Sequence, residues 1–462
     1  MPAIITKDFR IQNANQVSES FSESADTYYL AIGRPQAFAN DQAFNDGTDT
    51  SPPTPVDSVG SVDYYVYDDL LSAKKISSSN VSAVKPRRNW TTGTTYDYNR
   101  HDYGEINSAG STIAANSGAT TLHDATFYVM NSTFDVYKVI DNNGNSASTV
   151  EPTGNKSTSV FSTGDSYKWK YMYSLSASEQ ANFLSTDFMH VSTESTDYST
   201  TAGAIENAKV TAGGSGGSNG TYTNVDIRGD GSSGKATVVV SSNAVTSVTI
   251  TTAGSGYTYA SVLASDIGNV SGADIDFIIS PPGGHASDAV AELGGFFVMM
   301  NVDFATSESG EFNTSNDFRR IALLRNPTDS TTGSTATAST LDATKSITFS
   351  GTPGSFQADE KITQASTGAV GFVVDFNSTT KVLRYIQPQF TNQGVDSNGN
   401  LTAFSSTNTV TGATSGATGT PSSHDITPEL TADSGDILYI ENRKPISRAS
   451  DQTENVKLIV EF

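Results

Sequence analysis

The sequence predicts a mainly β protein into which two small β modules are inserted. Three observations carry this. Runs rich in β-branched and aromatic residues alternate at period two and are bounded by Gly, Asn, Asp and Pro clusters. Only 16% of residues are charged while glycine numbers 39, a balance that suits β-rich extracellular or virion structural proteins better than a metabolic enzyme. Twice, from about residue 208 and again from about residue 330, the texture shifts to Gly, Ser and Thr with few long side chains. The boundaries follow: core over 1–205, a first module over 206–285, core again over 286–330, a second module over 331–427, and C-terminal core strands over 428–462.

Taken in order, Ile4 to Ser24 is the strongest helix candidate. Phe9, Ile11, Val17 and Phe21 fall loosely on one side, and Thr6 is placed to cap it. Tyr28 to Arg34 reads as a short strand that stops at Gly33, just before Pro35. Asp46 to Val59 is a turn-rich connection in which Ser51-Pro52-Pro53-Thr54-Pro55 favours an extended, polyproline-like path. Val62 to Leu71 admits helix or strand, with helix preferred. In Phe127 to Ile140 two strands flank Asn131-Ser132-Thr133, and the second ends at a tight turn on Asn143-Gly144.

Thr163 to Tyr173 sets Tyr167, Trp169, Tyr171 and Tyr173 on one face of a strand, a spacing that reads as an aromatic core stripe. Ser176-Ala177-Ser178-Glu179 is a capping box opening a short helix. Gly294 to Phe304 and Asp317 to Pro327 are further strands. Two more close the chain, Asp436 to Glu441 and Asn455 to Phe462, joined by a connection that begins Asn442-Arg443-Lys444-Pro445-Ile446. Val456, Leu458, Val460 and Phe462 alternate with Lys457, Ile459 and Glu461, which expects a buried final phenylalanine and a terminus tied into a sheet where most chains fray.

The modules show internal repetition. Val210 to Thr223 and Ile250 to Thr258 both run from a strand through a Gly-rich turn to Tyr-Thr. Ile362 to Ala369 and Val410 to Ala417 share one octad template.

Composition excludes several classes. Lys plus Arg is 27 against Asp plus Glu 49, a net charge of −22 that offers no basic footprint for nucleic acid. The absence of cysteine removes disulfides, thiolate metal sites and cysteine nucleophiles. The five histidines, His101, His123, His190, His285 and His424, lack metal-like spacing, so no metal and no cofactor is expected. The start of the chain has no apolar signal core and no run approaches a membrane span, so a soluble protein without a classical export signal is expected. No nucleophile elbow, zinc helix, Walker loop or calcium loop occurs, and no carboxylate pair is fixed across a cleft, so no catalytic residue is assigned. Val84 to Trp90 is the sharpest local string of the N-terminal half. Its paired Arg87 and Arg88 beside Trp90 admit three readings: bridges to the chain's own carboxylates, stacking across a subunit interface, or anion binding.

Several of these strings carry a resemblance. Ile32-Gly33-Arg34, Pro52 to Ser58, Val84 to Trp90, Gly164 to Tyr173, Phe318 to Pro327, Glu441 to Ile446 and Asp451-Gln452-Thr453-Glu454 occur in this order. As a set they resemble the baseplate wedge protein family, gene product eight, of T4-like contractile-tailed bacteriophages. The first Gly-rich module departs from that family's pattern.

The resemblance implies a multi-layer, three-layered β-sandwich with helix-bearing loops. It also implies a virion structural protein of the tail baseplate, assembled in the host cytoplasm, that forms a homodimer and joins other wedge proteins while passing on the rearrangement at infection. Arg34, Arg87, Arg88, Trp90 and Arg443 are its expected interface or scaffold residues. A receptor-binding or glycan-degrading tail protein is the alternative.

Overall fold

A computed structural model describes residues 5–38, 47–55, 66–106, 110–154, 156, 159–192, 201–305, 312–388, 394–425 and 427–462. The architecture is mainly β, with several sheets and few, short helices. The chain divides into two compact units, Met1–Val17 with Ser82–Met299 and Ile459–Phe462, and Ser18–Val81 with Met300–Leu458.

The first unit is built on a four-stranded sheet in the order Tyr128–Met130, Asp135–Asp141, Lys168–Ser174, Phe161–Ser162. Between its first two strands, the Asn131 side chain accepts hydrogen bonds from the backbone N–H of Thr133 (3.0 Å) and Asp135 (2.8 Å), the side-chain turn that a short Asn-Ser-Thr link favours. Tyr167, Trp169, Tyr171 and Tyr173 are all buried, as an aromatic core requires. They do not share one face, however. A register shift sets Tyr173 opposite Val136 and Tyr171 opposite Tyr137, and consecutive strand residues point to opposite sides. The indole of Trp169 stacks on Tyr167 at 5.4 Å, while Tyr137 and Tyr171 meet edge to face at 5.5 Å.

The helix Lys7–Ser20 carries the expected cap, Phe9 N–H donating to Thr6 Oγ1 at 3.3 Å. It buries Ile11 and Ala14 but leaves Phe9 57% exposed, so the predicted apolar stripe is rotated away from that residue. The helix Ala177–Phe183 has both halves of the Ser176/Glu179 capping box.

Residues 205–279 form a core of their own beneath a three-stranded sheet, Gly220–Asp226, Lys235–Ser241 and Ala244–Thr252, and the paired strands Ile205–Ser215 and Ser271–Ile279. The glycines here make room for tyrosine. Tyr257 Oη donates to the Ile227 carbonyl (3.0 Å) and accepts from Gly234 N–H (3.1 Å). A β-carbon at Gly231 or Gly254 would come within 2.5 and 2.7 Å of its ring.

The second unit centres on a five-stranded sheet in the order Thr340–Asp342, Leu70–Ile76, Tyr28–Gly33, Phe318–Arg325, Asp436–Ile446. All of Tyr28–Gly33 is buried, which explains an uninterrupted apolar run where an alternating one would mark a half-wet strand. Two expectations are corrected. Residues 66–68 are helical, but the chain enters the sheet at Leu70, because Leu70 packs into the core with Ala73 and Leu71 is buried too; residues 62–65 lie outside the description. The strand beginning at Asp436 runs on to Ile446, through what reads as a connection, because its partner Phe318–Arg325 is long enough to pair that far.

The remaining large element is a seven-stranded sheet over 345–425. In it the two octads become adjacent antiparallel hairpins. Thr363 pairs with Thr411, its equivalent position in the repeat, and Ile362 pairs with Gly412, so a local pseudo-two-fold passes through the Thr363–Thr411 pair.

Candidate functional site

Strings that lie far apart in sequence converge in the second unit. Gly33 is followed by Arg34 in a left-handed conformation (φ 59°), which turns its side chain back into the protein, where it is 2% exposed. Its backbone N–H donates to the Asp69 carbonyl at 2.9 Å and its guanidinium lies 3.6 Å from the Asp69 carboxylate. Arg320, paired with Gly33 in the sheet, grips the same carboxylate at 2.9 and 3.1 Å. Arg320 Nε donates to Asn442 Oδ1 (3.0 Å), and Asn442 Nδ2 donates to the Pro53 carbonyl (3.1 Å). Arg319 holds Asp49 through two bonds of 3.0 Å and also donates to the Pro35 carbonyl. The Gly-Arg strand end, the Pro-rich connection, the Phe-Arg-Arg strand and the Glu-Asn-Arg strand thus meet around one buried carboxylate. A fork-shaped cation suits this, since it can bind two acceptors in fixed directions.

The Val84–Trp90 string organises the first unit. Lys85 is 2% exposed, donates to the carbonyls of His123 (3.0 Å) and Gly294 (3.1 Å), and lies over the rings of Phe296 and Tyr128. Burial pushes its pKa down to about 7, and the cations Arg88 and Lys7 push the same way. Arg87 donates to Asn89 Oδ1 and the Ser185 carbonyl, each at 2.9 Å. Arg88 packs over Tyr128 at 5.2 Å and reaches the Asp124 carbonyl. Trp90 Nε1 donates to Ser148 Oγ at 3.0 Å. The pair therefore engages carbonyls, an amide and a ring; among the described contacts neither arginine reaches a carboxylate. Arg443 stands apart, half exposed and 3.5 Å from Glu441.

Sequence reasoning missed a third cluster. Lys138 and Lys170 are cross-strand neighbours, an arrangement that destabilises a sheet unless anions intervene. Glu206 bridges both, 3.2 Å from Lys138 and 2.7 Å from Lys170, and Glu292 takes Lys138 at 2.5 Å. His285 completes the group, with Nδ1 3.0 Å from Glu292 and Nε2 2.6 Å from the Tyr171 carbonyl. Burial opposes the charge of Lys138, but Glu206 and Glu292 outweigh it and hold the pKa up. Burial would likewise raise both glutamates, and Lys138, joined by Lys170 at Glu206 and by His285 at Glu292, more than reverses this. The available signal was a lysine in the middle of each of two strongly β runs.

The C-terminal strand is tied down at its end, as expected. Phe462 N–H donates to the Phe296 carbonyl at 3.1 Å, and Arg10 binds both the Phe462 carbonyl and, at 2.6 Å, Glu461. The Phe462 ring is half-buried rather than buried, and only Leu458 of the alternating set is fully enclosed. The reason is that the strand Thr453–Glu461 is an end strand of its sheet.

Among the described residues no three His, Asp or Glu side chains are grouped to hold a metal ion, and no helix is long and apolar enough to cross a membrane. What the three clusters do is fix chain segments to one another, and the class they define, with the sheets around them, is a β-rich scaffold protein. Over residues 3–150 the chain matches the family model Phage-Gp8, described as bacteriophage T4 Gp8. That match supports a structural role in the baseplate wedge of a phage tail. No curated protein matches the chain.

Proposed function

We propose that this chain is a dimeric connector in a phage baseplate wedge, joining neighbouring wedge proteins and transmitting the rearrangement that accompanies infection. The observation that carries the reading is the Phage-Gp8 match over residues 3–150, whose Gly33-Arg34 and Pro53 positions are locked to Arg320 and Asn442 from outside the matched stretch. The role is mechanical and non-catalytic: buried arginine and lysine clusters keep the sheets rigid, so that force applied at one surface is carried through packed elements. Arg34, which is buried, and Arg87, Arg88 and Trp90, which are half-buried, serve as scaffold, and Arg443, which is half exposed, serves at an interface. The seven-stranded and Gly-rich modules decorate this body.

The purified chain is expected to have twice its 48.6 kDa mass in light scattering. It is also expected to localise to the baseplate in an electron-microscopy map of intact tails. A threefold mass, or cleavage of a polysaccharide by the purified chain, would replace this reading with a receptor-binding or glycan-degrading one.

A further inference from the structure

Asp141 stands between two lysine and carboxamide pairs of the first unit. Asn142, the residue after the strand Asp135–Asp141, accepts a hydrogen bond from Lys209 Nζ at 2.9 Å, and Lys209 lies on the strand Ile205–Ser215, 67 residues further on. The Lys209 ammonium is 3.8 Å from Asp141 Oδ1. Nearby, Lys168 Nζ donates to Asn207 Oδ1 at 2.8 Å, and Asn207 Nδ2 donates to Asp141 Oδ2 at 3.4 Å.

The Asn142 pair is the better prepared for chemistry. Asn142 is fully buried and its carboxamide is held at both ends: Nδ2 donates to the Tyr96 carbonyl (2.9 Å) and to Asn145 Oδ1 (2.7 Å), while Oδ1 also accepts from Asn145 N–H (3.2 Å). That N–H is placed as an oxyanion donor, since it polarises the carbonyl and stays bound as charge grows on the oxygen. Lys209 lies over the Tyr98 ring, 3.9 Å from its centroid, and the charged groups that bear on it are Asp141, Asp276 and Arg100. Burial lowers its pKa despite the two carboxylates, which favours the free amine that a nucleophilic lysine needs.

We propose that Lys209 and Asn142 join in an intramolecular isopeptide bond, with Asp141 as the proton carrier. Asp141 takes a proton from the Lys209 ammonium, and the freed amine attacks Asn142 Cγ, one bond from the oxygen to which it already donates. As the Cγ–Nδ2 bond breaks, Asp141 returns the proton to the leaving nitrogen. An ammonium and a carboxamide thus become a secondary amide and a released ammonium ion, with no oxidant, metal or other reactant consumed. In a chain without cysteine, this bond fastens the strand Ile205–Ser215 covalently to the end of the strand Asp135–Asp141.

The test is the intact mass of the purified full chain. It is expected to fall short of the sequence mass by one ammonia, about 17 Da, and a proteolytic digest is expected to yield a branched peptide joining Asn142 to Lys209. Lys209→Arg, which keeps the cation, and Asp141→Asn each bring the mass back to that of their own sequences, with circular dichroism checking that both variants fold. The wild-type measurement needs no variant. A wild-type chain at full sequence mass would overturn the proposal, and so would a deficit that survives either substitution. A branch mapped to Lys168 and Asn207 would overturn it too, as would a deficit carried by an unbranched peptide, the product of ring closure at an Asn-Gly step such as Asn143-Gly144.

Discussion

Asp69 shows how much one side chain can organise. It is 1% exposed and receives two guanidinium groups, those of Arg34 and Arg320. Truncating it leaves two buried cations with lost compensation, whereas Arg443 pairs with Glu441 in solvent. Asp69→Ala is therefore expected to destabilise the protein by about 3–5 kcal/mol, and Arg443→Ala by about 0–1 kcal/mol. Urea titrations followed by circular dichroism measure both, and equal losses would contradict the assignment. The Lys138 cluster adds a pH dependence of definite sign. Glu206 and Glu292 have folded-state pKa values held below the ordinary carboxylate range by Lys138 and its neighbours, against the opposing effect of burial. Their contribution is present above the unfolded value of about 4.3 and is lost as pH falls through the folded values. Urea midpoints measured across an acid series should fall below pH ~4.3, and Glu292→Gln should flatten that limb while lowering stability at neutral pH. A variant as acid-sensitive as the parent would show that the cluster does not set the limb.

At the scale of elements, the C-terminal strand illustrates why pairing can hold what burial alone would not. Its side chains are mostly half-exposed, yet its end is fastened by the Phe462–Phe296 backbone bond and by Arg10. Removing Ile459–Phe462 takes away both Arg10 contacts, to the Phe462 carbonyl and to Glu461, the Phe462–Phe296 backbone bond and part of the apolar contact with Val84 and Met299. The expected cost is roughly 2–4 kcal/mol in the first unit, read as earlier thermal loss of near-ultraviolet signal from its two tryptophans. An unchanged transition would mean that the terminus is merely resting on the surface. The octad hairpins make a related point: two copies of one template face each other across a pseudo-two-fold, so the repeated string builds its own neighbour.

For the whole molecule, the net charge of −22 and an isoelectric point near 4.5 define when copies stop repelling one another. Solubility is expected to reach a minimum close to pH 4.5, just above the range in which acid weakens the buried glutamate pairs, so precipitation should precede loss of structure as pH falls. Light scattering alongside circular dichroism checks this. High solubility persisting through that pH with structure intact would show that surface charge is not what keeps the molecules apart.

Sequence alone determined the β character, the capping box at Ser176, the stop at Gly33, the burial of the Tyr167–Tyr173 aromatics and the tied terminus. Each depends on local chemistry: side-chain period, backbone freedom or a cap three residues away. The set of separated strings also pointed to the wedge family before any fold was seen. What only the tertiary structure decided is which groups meet. Lys138 and Lys170 stand in ordinary β runs, and nothing in those runs says that Glu206 and Glu292 arrive from elements more than 30 residues on to neutralise them. Nor could period-two reading foresee the register shift that turns Tyr173 away from Tyr171, or the extension of the edge strand to Ile446. Partners of buried charges are chosen by long-range packing, because desolvation makes the nearest opposite charge in space, not in sequence, the one that counts.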